Sequence, residues 1–193
     1  ESYRKSIELA RIILLNYHPD IRNGQRDILA IMFDMNLLWE RYVLYVLQRA
    51  SSKNRESHLI VVSGQLQKKY WKPEQGYSKS LKPDIIVKIG KERNVVIDTK
   101  WKYKSAVSVD DIRQMYAYGD YFQADECYLL YPDKLLTETT ILVKHGNFHD
   151  PNGGAGLLAK SCGLMFMDLV LDKKLNKRAG EDLLGHILHL GGI

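Results

Sequence analysis

The sequence predicts an α/β chain of the α+β kind built on a mixed sheet, and three observations carry that prediction. Segments with apolar residues at helical spacing stand between segments in which apolar and polar residues alternate. The alternating segments are short, rich in Val and Ile, and bounded by Gly, Pro, Asn and Asp, as strands are. At 193 residues and 45% hydrophobic, the chain is long enough for one substantial core, burying roughly 70% of its unfolded surface.

Taken in order, residues 3–17 place Ile7, Ala10, Leu14 and Leu15 on one helical face, and the His18-Pro19-Asp20 segment stops that helix. A polar connector with Gly24 follows, so residues 1–27 read as a packing helix and connector ahead of a main domain over 28–193. The chain opens in helical sequence without an initiating Met, as a piece of a longer protein would. Asp34 is placed to cap a helix running to about Ala50, with Met35, Trp39, Tyr42, Val43 and Val46 as its apolar face. Residues 51–57 read as a loop and 58–63 as a strand. Residues 82–104 read as a β-hairpin with its turn at 90–94. Ser108 and Asp111 open a helix in capping-box fashion, running to about Phe122. Strands are expected at 127–131, ended by Pro132, and at 139–144 and 163–171, before a closing helix at 176–190.

The hairpin carries the chemistry. Side chains alternate faces along a strand, so Asp98 and Lys100 share a face, and any even-sum pairing of the arms puts Asp84 there too. A turn centred near Glu92 sets Asp84 opposite Lys100, with the two aspartates diagonal at roughly 7–8 Å. Two hard oxygen donors suit Mg²⁺, which completes its shell with water and phosphate oxygens, and Mn²⁺ can substitute. Lys100 would then steer a water and offset phosphate charge. Read alone, the same residues also make a solvated surface ion pair.

Glu40 is the second signal, a carboxylate in a stripe formed by Leu37, Leu44 and Leu47. Burying it uncompensated is costly, so it meets a cation or a metal-bound water, pairs with a core-edge lysine, or reaches solvent at the stripe's edge. Gln114 and Tyr118 are four apart on one helical face and can hydrogen-bond together toward a phosphate or the lysine.

Lys68, Lys69, Tyr70, Trp71 and Lys72 interleave charge and aromatic rings, and Trp101, Lys102, Tyr103 and Lys104 repeat the combination. Such patches hold nucleic-acid phosphates and stack bases or sugars, although a twisted strand end with snorkelling lysines looks the same. The formal net charge of +5 tilts toward an anionic partner. Cys127 and Cys162 form no CxxC, consistent with a reducing cytoplasm, and no apolar run reaches membrane-spanning length. Residues 154–161 nearly spell a phosphate-binding loop, but Ala159 replaces its second glycine and a strand pattern follows where a helix is required. His145, His149 and Asp150 share a loop and could ligate a transition metal, and His186 and His189 are three apart on the last helix, but no CxxC supports zinc and they read as surface or satisfied side chains.

In combination, P-D at 83–84, D-x-K at 98–100 and Q-x-x-x-Y at 114–118, with an acid on the preceding helix, resemble the PD-(D/E)xK nuclease superfamily and its RecB-like branch. More specifically, F-D-M-N-L-L-W-E-R-Y-V at 33–43, K-P-D at 82–84, D-T-K-W-K at 98–102 and D-I-R-Q-M-Y-A-Y at 111–118 resemble the C-terminal half of the McrC family, over about residues 28–132. The resemblance implies a PD-(D/E)xK core ordered helix, strand, strand, strand, helix, strand, with further C-terminal strands and a helix. It implies that Asp84 and Asp98 bind metal with Glu40, that Lys100 is the catalytic lysine, and that Gln114 and Tyr118 orient substrate and lysine. Asp98 is a methylene shorter than the Glu found in many superfamily members. The implied function is a Mg²⁺-dependent DNA endonuclease subunit of a prokaryotic, cytoplasmic modification-dependent restriction system serving antiphage defence. Its implied partners are double-stranded DNA and a GTP-hydrolysing AAA+ motor of the McrB type, engaged by a region outside this sequence. The alternative is a non-catalytic nuclease-fold adaptor that binds DNA and stimulates the motor.

Overall fold

In the computed structural model, residues 34–54, 59–91, 93–102, 107–133, 141–150, 157–171 and 174–189 are described. The helix expected over residues 3–17, its connector and the boundary at residue 28 lie outside them. Asp34 caps the first described helix, α1 (Met35–Lys53), accepting hydrogen bonds from the Asn36 and Leu37 amides at 3.0 and 3.2 Å. The helix runs past Ala50 because Ser51, expected in a loop, is buried and donates its hydroxyl to the Ile60 carbonyl at 3.1 Å. That bond ties the last turn of α1 to the first strand.

The strands are β1 (Ile60–Gly64), β2 (Lys68–Trp71), β3 (Lys79–Leu81), β4 (Ile85–Ile89), β5 (Arg93–Thr99), β6 (Glu126–Asp133), β7 (Ile141–His149), β8 (Leu157–Asp168), β9 (Val170–Leu171) and β10 (Lys174–Leu175). Helix α2 (Val109–Phe122) joins β5 to β6, and α3 (Ala179–His189) follows β10. Six strands form one sheet in the order β1-β4-β5-β6-β8-β7. The β5–β6 and β6–β8 pairs are parallel and the rest antiparallel, giving the mixed sheet expected. The β2–β3 ribbon is inserted between β1 and β4 and pairs only with itself.

Alternation sorts the sheet's side chains into two cores. On one face Ile85, Val87, Val95, Ile97, Tyr128 and Leu130 pack with Trp39, Val43 and Leu47 of α1 and with Leu183, Leu184 and Ile187 of α3. On the other, Ile86, Val96, Leu129 and Phe166 pack with Met115, Tyr118 and Phe122 of α2. Helix α3 can lie close to α1 because Gly180 rests against the Val46 backbone. Cys127 and Cys162 are register partners in the second core, and burial pushes both thiols up to about 12.

Several boundaries differ from the sequence expectation. Asn94, expected in the hairpin turn, belongs to β5 and pairs with Lys88, so the turn opens at Gly90 (φ +63°) and closes before Arg93. Pro132 does not end its strand but lies within β6. Leu130 accepts from the Lys100 amide, so Pro132, two residues on, points the same way, where β5 has already ended and no donor is needed. Strand β8 begins at Leu157, so Lys160 and Ser161 of the glycine-rich stretch sit in extended chain rather than at a helix start. The last helix begins three residues later than expected, after a turn in which Asn176 Oδ1 accepts from the Arg178 amide at 2.9 Å.

Candidate active site

The register of β4 and β5 corrects one expectation. Ile85 pairs with Ile97 and Ile86 with Val96, so one step further Asp84 stands across from Asp98, not from Lys100. The even sum is preserved, so Asp84 and Asp98 lie on the α2 side of the sheet, as Ile86 and Val96 do.

Each acid is held differently. Asp84 Oδ2 accepts from the Thr99 amide at 2.7 Å and from the Thr99 hydroxyl at 2.8 Å. Asp98 is only 3% exposed, and its Oδ2 lies 2.7 Å from Lys100 Nζ. Lys100 Nζ also lies 3.1 Å from Asp111 Oδ1 and donates to Gln114 Oε1 at 3.3 Å. The Gln114 amide donates to Tyr118 Oη at 2.7 Å and reaches Asp98 Oδ1 at 3.4 Å, while Tyr118 donates to the Lys82 carbonyl at 3.0 Å. Helix α2 therefore presents Asp111, Gln114 and Tyr118, spaced three and four apart, along one side of the hairpin's end.

Glu40 reaches the site from α1 at the edge of its apolar stripe, where it is half-buried. Its Oε1 accepts from Gln65 Nε2 at 2.5 Å, and the Gln65 amide donates to the Asp84 carbonyl at 2.9 Å. Gln65 holds a left-handed backbone (φ +53°), which turns the chain out of β1 so that both bonds form. Glu40, Asp84, Asp98, Lys100 and Gln114 line one open cleft of about 430 Å³.

Burial, and then the neighbouring Asp84 charge, push the Asp98 carboxyl up to about 6 despite the Lys100 ammonium. Burial alone would lower Lys100, but Asp98 and Asp111 outweigh it and raise it to about 12. Both members of the ion pair thus titrate high. The pair is attractive, and desolvation with Asp84 repulsion still dominates for the acid. Asp111 is partly buried, yet its bonds to Lys102 and Lys100 hold it below the usual carboxylate range.

Two crowded carboxylates, one of them driven toward protonation, are a donor set that a divalent cation would relieve, and two carboxylates plus water and substrate oxygens is a normal Mg²⁺ shell. Asp84 and Asp98 fit that role. Among the described residues no group of three or more His, Cys, Asp or Glu converges as a metal site. His145 and His149 on β7 and His186 and His189 on α3 form none either.

The basic residues separate. Lys69 and Lys72 are exposed on the ribbon. Lys68 is spent internally, donating to the Tyr121 carbonyl at 2.6 Å and lying 5.1 Å from the Phe122 ring. Lys102 pairs with Asp111 at 2.6 Å. Lys104 lies outside the described residues.

Three contributors escaped the sequence reading. Thr99 was visible inside D-T-K as a hydroxyl beside two acids. Asp111 read as a capping partner, but Ser108 instead accepts from the Asp110 amide at 3.2 Å, leaving Asp111 free for the lysines. Gln65 left no sequence signal.

The sheet and this cleft define a mixed α/β protein with an acid-and-lysine cluster at the end of a central hairpin. A family model for the McrBC 5-methylcytosine restriction system component matches residues 1–132, and the chain belongs to that family. No curated protein matches it. A solved structure described as a refined half-complex from a tetradecameric assembly of Thermococcus gammatolerans McrB AAA+ hexamers with bound McrC is similar, at TM-score 0.54 and 20% identity. The match covers 83% of this chain and 34% of that one, so this sequence spans about a third of that chain's length. No described helix is long and apolar enough to cross a membrane.

Proposed function

We propose that this chain carries a PD-(D/E)xK nuclease core and hydrolyses DNA phosphodiester bonds as the cutting subunit of an McrBC-type restriction system. The observation that carries the reading is Lys100, held between Asp98 and Asp111 beside Asp84 in an open polar cleft. Asp84 and Asp98 would hold Mg²⁺, or Mn²⁺ in its place, which when bound supplies Lewis-acid polarisation and a more acidic water.

The remaining work falls to side chains. With its pKa raised to about 12, Lys100 is an ammonium at neutral pH, so it donates and does not abstract a proton. It orients the attacking water and offsets charge as that oxygen bonds phosphorus and a P–O ester bond breaks. Gln114, bonded to both Lys100 and Tyr118, fixes the lysine's direction. Glu40, tethered by Gln65, faces the same cleft and can accept from a water at its edge. An adaptor without chemistry has no physical need for this relay.

The solved relative is described with McrB AAA+ hexamers, which supports a motor partner of that type. The test uses the full-length protein with its motor. Lys100→Ala or Asp98→Ala should abolish cleavage while the fold and motor binding persist, and retained cleavage removes these residues from the mechanism.

A further inference from the structure

The β2–β3 ribbon is a basic, exposed feature, and its base is the cleft itself. Residues 65–82 hold five lysines, Lys68, Lys69, Lys72, Lys79 and Lys82, against one acid, Glu74. The ribbon leaves the sheet at Gln65, bonded to Glu40 and to the Asp84 carbonyl. It returns at Lys82, whose carbonyl accepts from Tyr118. Both feet therefore stand on site residues.

An isolated two-stranded ribbon is marginal in water. This one is pinned: Lys68 donates to the Tyr121 carbonyl at the end of α2, Tyr70 meets the Tyr121 ring edge-on at 5.2 Å, and Leu81 packs on the second core. What the pins leave outside is unusual. A bulge between Lys69 and Trp71 breaks the alternation, so Lys69, Tyr70, Trp71 and Lys72 all line one shallow hollow of about 570 Å³ together with Tyr77. Trp71 is 56% exposed and Tyr77, at the tip, 95%. Exposed rings of this size ringed by lysines are a surface for a polyanion with apolar sugar and base edges.

We propose that this ribbon is a DNA-gripping arm that enters a groove of the B-form duplex whose backbone lies in the adjoining cleft. The proposal rests on the DNA-hydrolase reading of that cleft. A two-stranded ribbon fits a major groove about 12 Å wide. Lys69 on β2, Lys72 just past its end and Lys79 on β3 then meet the phosphates on either side, and Trp71 and Tyr77 pack on sugars and base edges. Anchored on α2 and on Gln65, the arm sets the distance between the gripped groove and the cut phosphate.

The test measures binding of a labelled duplex of about 25 base pairs to the full-length protein without divalent metal, over a salt series. Lys69→Ala/Lys72→Ala/Lys79→Ala should weaken binding at least tenfold and reduce the slope of log K against log salt by about 3. Tyr77→Ala should weaken it severalfold with the slope unchanged, and Lys174→Ala/Lys177→Ala should do neither. An unchanged slope in the triple variant, or equal affinity for single-stranded DNA of the same length, overturns the arm. Cleavage separates the two readings: ribbon variants should raise KM and keep kcat, whereas Lys100→Ala should lose kcat and keep affinity. If Lys100→Ala still cuts while the ribbon variants lose affinity, the cleft reading fails and the arm stands.

Discussion

Asp111 Oδ1 lies 3.1 Å from Lys100 Nζ, a second carboxylate that aims the lysine beside the closer Asp98 Oδ2 at 2.7 Å. Without it the ammonium would be free to collapse wholly onto Asp98. Asp111→Asn keeps the shape and can still accept a hydrogen bond, but it removes the charge that helps raise Lys100. Steady-state kinetics of the motor-activated complex should show kcat reduced about 10–100-fold, in the range of a displaced catalytic group, with KM little changed. Unaltered kcat would mean that Asp98 and Gln114 alone position the lysine.

The crowding of Asp98 predicts a pH-dependent stability difference. Its carboxyl moves from an ordinary 3.8 to about 6 on folding, a span worth at most about 3 kcal/mol. A raised folded pKa means that the contribution is fully present below about pH 4 and is lost as pH rises through 6. Asp98→Asn escapes that loss. In metal-free protein, its melting temperature relative to wild type should therefore climb between pH 4 and 6 and level off above 7. Added Mg²⁺ should raise the wild type at pH 7.5 and leave the variant unmoved. A difference that is flat with pH would show that Asp98 is not strained in the folded protein.

How much of this was legible in the sequence can be read from the same residues. The strict two-residue period of a strand put Asp84 and Asp98 on one face for any even-sum pairing of the arms, so the acid pair was accessible from spacing once that parity held. The pairing partner was not. Whether the turn took in Asn94 shifts the register by one pair, and only the closed hairpin shows Asn94 bonded through its amide to Asp125. Glu40 was visible as a charge in an apolar stripe, but its tether Gln65 depends on a left-handed backbone that a Gln does not advertise. Asp111 was seen and misassigned, because a local capping pattern and a long-range ion pair use the same residue type at the same place. Pro132 ended a strand by rule, and tertiary context removed the reason for the rule.

Thr99 makes a prediction about the other acid. Its amide and hydroxyl both donate to Asp84 Oδ2, and the residue is buried. Thr99→Val is nearly isosteric and removes the hydroxyl bond alone. Urea denaturation should show a loss of about 1–2 kcal/mol, the ordinary cost of leaving a partly buried acceptor short of a donor. The Mg²⁺-induced rise in melting temperature should also shrink, since Asp84 loses part of its orientation. Full retention of both would mean that the backbone amide suffices.

Two glycines in the last helix should respond with opposite signs. An added Cβ on Gly180 would meet the carbonyl oxygen, carbonyl carbon and Cβ of Val46, and helix backbone cannot give way as a side-chain tip can. Gly180→Ala should therefore force α3 away from α1. Overpacking of this kind costs about 1–3 kcal/mol, against about 1 kcal/mol gained from helix propensity. Gly185, five residues on, has nothing within 4 Å of its added Cβ, so Gly185→Ala keeps the propensity gain and should stabilise by up to about 1 kcal/mol. At about 2–4 °C per kcal/mol for a chain of this size, thermal melts can resolve the two. Equal shifts in one direction would show that Gly180 is not a helix-crossing contact and that α3 sits further from α1 than described.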